Sequence, residues 1–225
     1  MHDKWSPYDN ATFIASYTRD VLNRVPGLAD VHRMAMLLLA ERATGNAEIL
    51  VVGAGGGLES RAMAEAQPGW RFTGVDPSGP MLDLARQTVE AFANRVKLIE
   101  GTVDQAPAGP FDGATCILTL HHLDRDTRLS TLEQIRRRLK PGTALVIVGH
   151  SASGPDPTHW MTRSVAFANR GAIDWDSSAA TGQMLVERLP LLTPAQEEEQ
   201  LRDAGFTEVA LFYAAFSFRG WVAIG

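Results

Sequence analysis

Apolar residues recur at helical spacing from Asn10 to about Arg42, first at Phe13, Ile14, Tyr17, Val21 and Leu22, then at Met34, Leu37 and Leu38. Val25-Pro26-Gly27 interrupts this pattern, which predicts two helices joined by a turn, the second ended by Gly45-Asn46. The pattern then changes. Glu48 to Val52 carries a short continuous apolar run, the form of a parallel strand buried on both faces. Gly53 to Gly57 breaks it, and Leu58 to Gln67 reads as a helix stopped by Pro68-Gly69. Further strands are predicted at Trp70 to Val75, Val96 to Glu100, Phe111 to Leu118 and Thr143 to Gly149. Helices are predicted at Ser78 to Asn94 and from about Asp124 to Leu139, the latter ended by Lys140-Pro141-Gly142. Strands alternating with helices indicate βαβ units and a doubly wound parallel sheet, an α/β fold.

From His150 to about Leu192 the alternation stops. The turn-rich Ser151 to Pro157 opens a stretch mixing Trp160, Met161, Phe167 and Trp175 with Arg163 and Arg170, read as a partly helical insertion over the sheet's carboxyl edge. Thr193-Pro-Ala-Gln196 has a capping residue, a proline at the first helical position and Gln three after the cap, which starts a helix running to Ala204. Val209 to Tyr213 and Phe216 to Ile224, separated by Ala214-Ala215, predict a closing antiparallel hairpin.

Composition narrows the class. With 45% apolar and 21% charged residues the chain is that of a soluble globular protein, and its formal charge of −5 disfavours a nucleic-acid partner held by phosphate neutralisation. Its one cysteine, Cys116, excludes an internal disulfide and leaves a reducing cytoplasm as the expected compartment. No apolar run approaches the roughly 20 residues that span a bilayer, so no membrane partner is expected. The surplus is glycine, 20 residues, four of them in Gly53-Ala54-Gly55-Gly56-Gly57. Between a strand and a helix, such a loop lets a ligand approach the backbone and offers it the unpaired N–H groups of a helix start. Asp76, nineteen residues beyond Gly57 at the end of the second strand, can accept hydrogen bonds from both ribose hydroxyls of a nucleoside. The pair points to an adenosine-containing ligand at the switch point of the sheet, with a tight turn and a helix cap at Asp76 as the plainer alternative.

The glycine loop, Gly74-Val-Asp76, Phe111-Asp112 leading into Leu120-His-His-Leu123, the Leu139-Lys-Pro-Gly142 turn and Leu192-Thr-Pro through Ala204-Gly-Phe206 stand in the order of the class I S-adenosylmethionine-dependent methyltransferases, which residues 46 to 225 resemble. The resemblance implies a Rossmann-like seven-stranded sheet in order 3-2-1-4-5-7-6 with strand 7 antiparallel. It also implies an N-terminal helical lid over residues 1–45, a methyltransferase domain over 46–225 and the insertion at about 151–192. Carried over by position, Gly53, Ala54, Gly55 and Gly57 would line the methionine and ribose of S-adenosylmethionine, and Asp76 would hold the ribose. Pro77 and Met81 would border the adenine, Thr102 and Val103 would face its amino edge, and Thr119 and Leu120 would lie near the sulfonium. Two positions depart from the family. Val51 stands where an acidic residue usually precedes the first glycine, and Thr102 replaces an acid after strand three. Asp104 and Glu59 are nearby carboxylates, Glu59 equally readable as a first-turn residue facing water.

Methyl transfer requires alignment and exclusion of water more than a reactive side chain, and a base only if the acceptor must lose a proton. His121 and His122, after strand four, and His150, after strand five, are the base candidates, His121 first; strand-end residues satisfied by backbone are the alternative. Tyr8 and Tyr17 of the lid could touch donor or acceptor, or be core. Trp160 and Arg163 are candidates for an apolar acceptor pocket with a cationic anchor; packing or a homodimer contact is the other reading. No metal is expected from the spacing. These residues point to a small-molecule O, N or C acceptor. A subgroup that makes carboxy-S-adenosylmethionine resembles the chain in Val25-Pro-Gly27, Met184-Leu185 and Phe216-Ser-Phe218, but places an arginine near the Met-Leu segment, where this chain has Thr181-Gly182-Gln183, with Arg188, Arg163 or Arg170 as the candidate substitutes. A non-catalytic adenosyl-ligand sensor is the third alternative, motivated by Val51 and Thr102.

Overall fold

Four of the five residues of β1 (Glu48–Val52) are buried because helices cover both faces of the sheet to which it belongs. The computed structural model describes residues 10–225. In chain order after β1 it holds β2 (Arg71–Asp76), β3 (Val96–Glu100), β4 (Phe111–Ile117), β5 (Leu139–His150), β6 (Thr207–Ala215) and β7 (Phe218–Ile224). The seven strands form one sheet in order β3-β2-β1-β4-β5-β7-β6, parallel except for β7, which runs antiparallel to both neighbours. The doubly wound sheet and its order are those expected from the chain's patterning and resemblance.

On one face, α2 (Leu28–Ala40) and α3 (Leu58–Ala66) pack Val31, Ala35, Leu39 and Met63 against Ile49, Val51 and Val146. Of the segment 1–45 predicted as a lid, α2 is thus built into the core, while α1 (Ala11–Arg24) buries only Val21 along its length. On the other face α5 (Arg125–Arg138) and α8 (Pro194–Asp203) set Leu132, Ile135 and Leu201 against Cys116, Leu145 and Trp221. The segment 151–192 supplies α6 (Pro157–Ala168) and α7 (Trp175–Arg188), which pack on each other, and α6 touches α1.

Side-chain caps fix where helices begin. Asn10, Ser78, Asp124, Asp156, Asp174 and Thr193 each accept a backbone N–H of the first turn, satisfying a donor the helix itself cannot. Three boundaries differ from the sequence reading. The helix predicted to Asn94 is α4 (Gly79–Thr88) followed by a 3-10 turn at Glu90–Phe92, because the chain must turn back to set Val96 beside Phe72. Helix α5 does not stop at Lys140-Pro-Gly142: Leu139 already leaves it as strand and pairs with Phe111. The hairpin turns at Phe216-Ser217, not at Ala214-Ala215, with Phe216 at φ +49°.

Arg95 closes the turn after α4. Its guanidinium donates to the carbonyls of Gln67 (3.0 Å), Trp70 (2.8 Å) and Ala64 (2.7 Å), so one side chain satisfies the end of α3 and the entry to β2. Arg95→Ala is expected to cost about 2 kcal/mol or more in urea unfolding, since charged hydrogen bonds to buried acceptors are lost. Arg95→Lys should recover only part of it, because an ammonium lacks the fork geometry; a change within about 0.5 kcal/mol for the alanine variant would contradict this role.

Candidate active site

The carboxyl ends of β1, β2, β4 and β5 meet at one edge, the usual location of ligands in open α/β sheets. The chain leaves β1 through Gly53 and Ala54, whose N–H groups both donate to the carbonyl of Val75 at 2.9 Å, binding the loop to the end of β2. Gly53 has φ +75°, and a Cβ there would lie 1.9 Å from the Thr119 hydroxyl oxygen, so no larger residue fits. At Gly57, φ +80°, a Cβ would lie 3.0 Å from the Cα of Ala85 in α4. The loop is therefore wedged between two walls, and its open side faces the edge.

Asp76 completes the clasp. One carboxylate oxygen accepts the Gly55 N–H at 2.8 Å and the other the Ser78 N–H at 2.9 Å. Partial burial pushes its pKa above the usual carboxylate value, and the two N–H bonds oppose the shift. Two amides occupy two of roughly four acceptor positions, so the carboxylate retains capacity for a diol. Ser78, not Asp76, caps α4. The predicted lid tyrosine is also here: a Cβ on Gly55 would lie 3.7 Å from the Tyr17 hydroxyl and 3.8 Å from Met81 Cε, so Tyr17 and Met81 flank the loop. Tyr8 lies outside the described residues.

The other cofactor candidates divide by exposure. Pro77 is exposed beside Asp76, whereas Met81 is buried. Thr102 is exposed and closes a capping box with Gln105, its hydroxyl 3.3 Å from Asp104, while Val103 turns its side chain into the core. Thr119 donates to the Ile117 carbonyl (3.2 Å) beside Gly53, and Leu120 is buried below it. Glu59 does not face water: it is 7% exposed, packed near Thr115, and its Oε1 has no hydrogen-bond partner among the described residues. Burial pushes its pKa up to about 7, Thr115 opposing the shift.

The three histidines come together. The ring centroids of His121 and His122 are 4.2 Å apart, those of His121 and His150 are 5.1 Å apart, and His150 stacks on Phe218 at 4.0 Å. His121 is buried and His122 exposed. Burial holds His150 down to about 3, with His122 adding to the effect, and burial followed by His122, His150 and Arg128 drives His121 well below its ordinary value. Both imidazoles are neutral at physiological pH. His150 Nδ1 lies 2.8 Å from the Ser217 hydroxyl, which lies 2.7 Å from that of Ser164 in α6.

Behind the histidines lies a cavity of about 20 Å³, lined among others by Arg128, Gln200, Glu197 and Arg219. Glu197 stands in the first turn of α8 after the Thr193 cap, where the helix dipole favours its charge, but it does not face water. Instead it is buried, accepting the Trp221 indole N–H at 3.1 Å with Arg128 3.7 Å away. Ser164, Ser217, Arg128 and Arg219 were not singled out as site residues from the sequence; only the heptad-like spacing of Glu197, Gln200 and Leu201 on one face of α8 hinted at an inward-facing Glu197. Trp160 and Arg163 engage each other, the guanidinium 4.5 Å from the ring centroid, and Trp160 packs on Gly154.

Residues 50–145 match the model of a methyltransferase domain family. The chain is 26% identical over 220 residues to carboxy-S-adenosyl-L-methionine synthase of Actinobacillus succinogenes, covering 94% of this chain and 90% of that protein. To the enzyme of the same name from Aeromonas hydrophila it is 24% identical, over 91% of this chain and 85% of that protein. Magnesium protoporphyrin IX methyltransferase of Synechocystis PCC 6803, solved with bound SAH, shares the fold with a TM-score of 0.67 and 16% identity, covering 96% of each chain. Residues 50–145 thus carry the likeness to a methyltransferase domain family, and the sheet order is the one that the resemblance to class I S-adenosylmethionine-dependent methyltransferases implies. The two synthases named above are similar to the chain along nearly its whole length.

Glu59 yields a pH-dependent stability. Its folded pKa of about 7 lies above its ordinary 4.5, so the native state holds the proton more tightly, and that contribution fades as pH rises through 7. Glu59→Gln should therefore match the native chain in thermal unfolding near pH 4 and exceed it by roughly 1 to 3 kcal/mol above pH 8. Equal stabilities at both pH values would refute the buried, unpartnered carboxyl.

Proposed function

We propose that the chain transfers the methyl group of S-adenosylmethionine to an O, N or C nucleophile of a small molecule. The observation carrying this reading is the clasp of Asp76 on the glycine loop. A carboxylate fixed by the Gly55 and Ser78 amides is oriented toward a ribose diol, beside a backbone surface that a Cβ at Gly53 would fill. When bound, the cofactor supplies a methyl carbon activated by positive sulfur. The chain's residues do the rest: Gly53, Ala54, Gly55 and Gly57 leave the cradle open, Asp76 holds the ribose, and Pro77, Met81, Thr102 and Val103 border the base. Thr119 and Leu120 form the floor near the sulfur. Tyr17, on a helix less embedded than α2, excludes water from above, which favours displacement. A small acceptor is supported by the acidic balance of the chain and by the packing of α6 on α1, the helix that carries Tyr17.

A second reading, synthesis of a carboxylated donor, is favoured by the extent of similarity to the carboxy-S-adenosyl-L-methionine synthases. Against it stands the packing at Thr181-Gly182-Gln183. A Cβ on Gly182 would lie 2.8 Å from the Thr162 N atom, so this turn of α7 is used for close contact with α6 and not for an arginine.

Titration calorimetry with S-adenosylhomocysteine tests the leading reading. Native chain should bind it, and Asp76→Ala should bind at least about tenfold more weakly, the loss of charged hydrogen bonds to the ribose. Absence of binding by the native chain would end the proposal, and mass spectrometry of the copurifying nucleoside would separate the ordinary from the carboxylated donor.

A further inference from the structure

Hydrogen-bond accounting around the histidines fixes which ring nitrogen carries the proton. The Ser217 N–H donates to the Ser164 hydroxyl oxygen at 3.2 Å, the two hydroxyls are 2.7 Å apart, and Ser217 Oγ is 2.8 Å from His150 Nδ1. Each hydroxyl has one hydrogen. If Ser164 donates to Ser217 and Ser217 donates to Nδ1, all three groups are satisfied. If Nδ1 carried the proton and Ser217 turned toward Ser164, the buried hydrogen of Ser164 would have no acceptor among the described residues, a cost that native interiors avoid. Turning Ser217 to the Met161 thioether, 3.6 Å away, would exchange an imidazole acceptor for a weak sulfur one. His150 therefore carries its proton on Nε2. Its own backbone N–H donates to His121 Nδ1 at 3.4 Å, so His121 is the same tautomer.

We infer that His121 and His150 are paired neutral hydrogen-bond donors that receive an oxyanion oxygen, carboxylate or phenolate, of the methyl acceptor, and that neither is a general base; this rests on the methyl-transfer reading above. Both histidines line the cavity of about 20 Å³, which has room for one water-sized group and thus for a single oxygen of a larger molecule. Arg128 and Gln200 line it too, each with one buried polar atom, Nε and Oε1, that lacks a partner among the described residues. The carboxylate of Glu197 from α8 is engaged by Trp221 and Arg128, and the guanidinium of Arg219 from β7 by the carbonyls of Phe216 and Phe218, so the two ring Nε2–H groups and Arg128 Nε from α5 face one unpaired acceptor, Gln200 Oε1. An acceptor that arrives as an oxyanion has no proton to lose, which suits a site whose imidazoles are donors. Ser217 and Ser164 act as positioning residues, tying this choice of tautomer to α6.

Long-range proton–nitrogen NMR correlation on the full chain reads the tautomers directly. Both rings should show protonated Nε2 and bare Nδ1, unchanged from about pH 5 to pH 8, with His122, Arg128, Glu197 and Arg219 as the surrounding charged or titratable groups. With S-adenosylhomocysteine present, benzoate should shift both Nε2 signals and benzylamine should not. His150→Phe should weaken benzoate binding about tenfold, whereas His150→Gln, which keeps an N–H donor, should stay within a few-fold. A protonated Nδ1, a ring titrating near 6.5, or no response to benzoate because the cavity holds water only would overturn the donor pair. Failure of S-adenosylhomocysteine to bind would overturn the methyl-transfer reading instead, and the tautomer measurement does not depend on it.

Discussion

The carbonyl of Val75 accepts two N–H groups, from Gly53 and Ala54, and the carboxylate that follows it accepts a third, from Gly55. Three consecutive amides of one loop are thus bound to the end of the neighbouring strand. That constraint sets the rest of the site. It requires Gly53 to adopt φ +75° against Thr119, which holds the end of β4 beside the end of β1, and it aims Asp76 across the loop instead of into the cap of α4. A backbone held this way needs no rearrangement to receive a nucleotide, so the ordering cost of binding falls on the ligand and the covering helix.

A second polar chain crosses the same edge farther along the sheet. Ser164 on α6, Ser217 in the hairpin and His150 at the end of β5 are in contact through hydroxyls, and His150 continues to His121 behind β4. Such a network is costly if half satisfied and directional if complete. Here it joins α6 to three strands of the core, so the roof of the edge and the groups beneath it are positioned by the same bonds. The side proposed for the nucleoside is held by backbone geometry, while the side proposed for the acceptor is held by side chains.

This division explains what was legible in the sequence. The strands, the glycine loop and Asp76 depend on local pattern and fixed spacing, and Glu48 to Val52, Gly53 to Gly57 and Gly74 to Asp76 fold as the spacing predicts. Tyr17 was visible as a helix-face aromatic, but that its ring covers Gly55 and Gly56 depends on how α1 crosses the edge. Glu197 and Glu59 could not be placed from the sequence for a common reason: a carboxylate in the first turn of a helix suits the dipole whether it faces water or core, so the charge pattern alone does not choose. Arg128, sixty-nine residues before Glu197, decides the matter for Glu197, and β4 decides it for Glu59. The hairpin turn shifted by two residues because Ser217 is needed at the bend, where its hydroxyl meets α6.

Burying five ionisable groups, His121, His150, Glu59, Glu197 and Arg128, beside one edge would be a poor design for stability alone, since each resists its charged form or demands a partner. Their arrangement is not uniform. Glu59 is in α3, while Arg128 and Glu197 pair across α5 and α8 at 3.7 Å, with Arg128 Nε left unpartnered among the described residues. Replacing that pair by apolar residues would remove the desolvation cost, but it would also remove the donors that define the cavity. The retention of a buried cation next to two neutral imidazoles is therefore best explained by what the edge must receive: a group rich in electrons, held by donors that keep their protons.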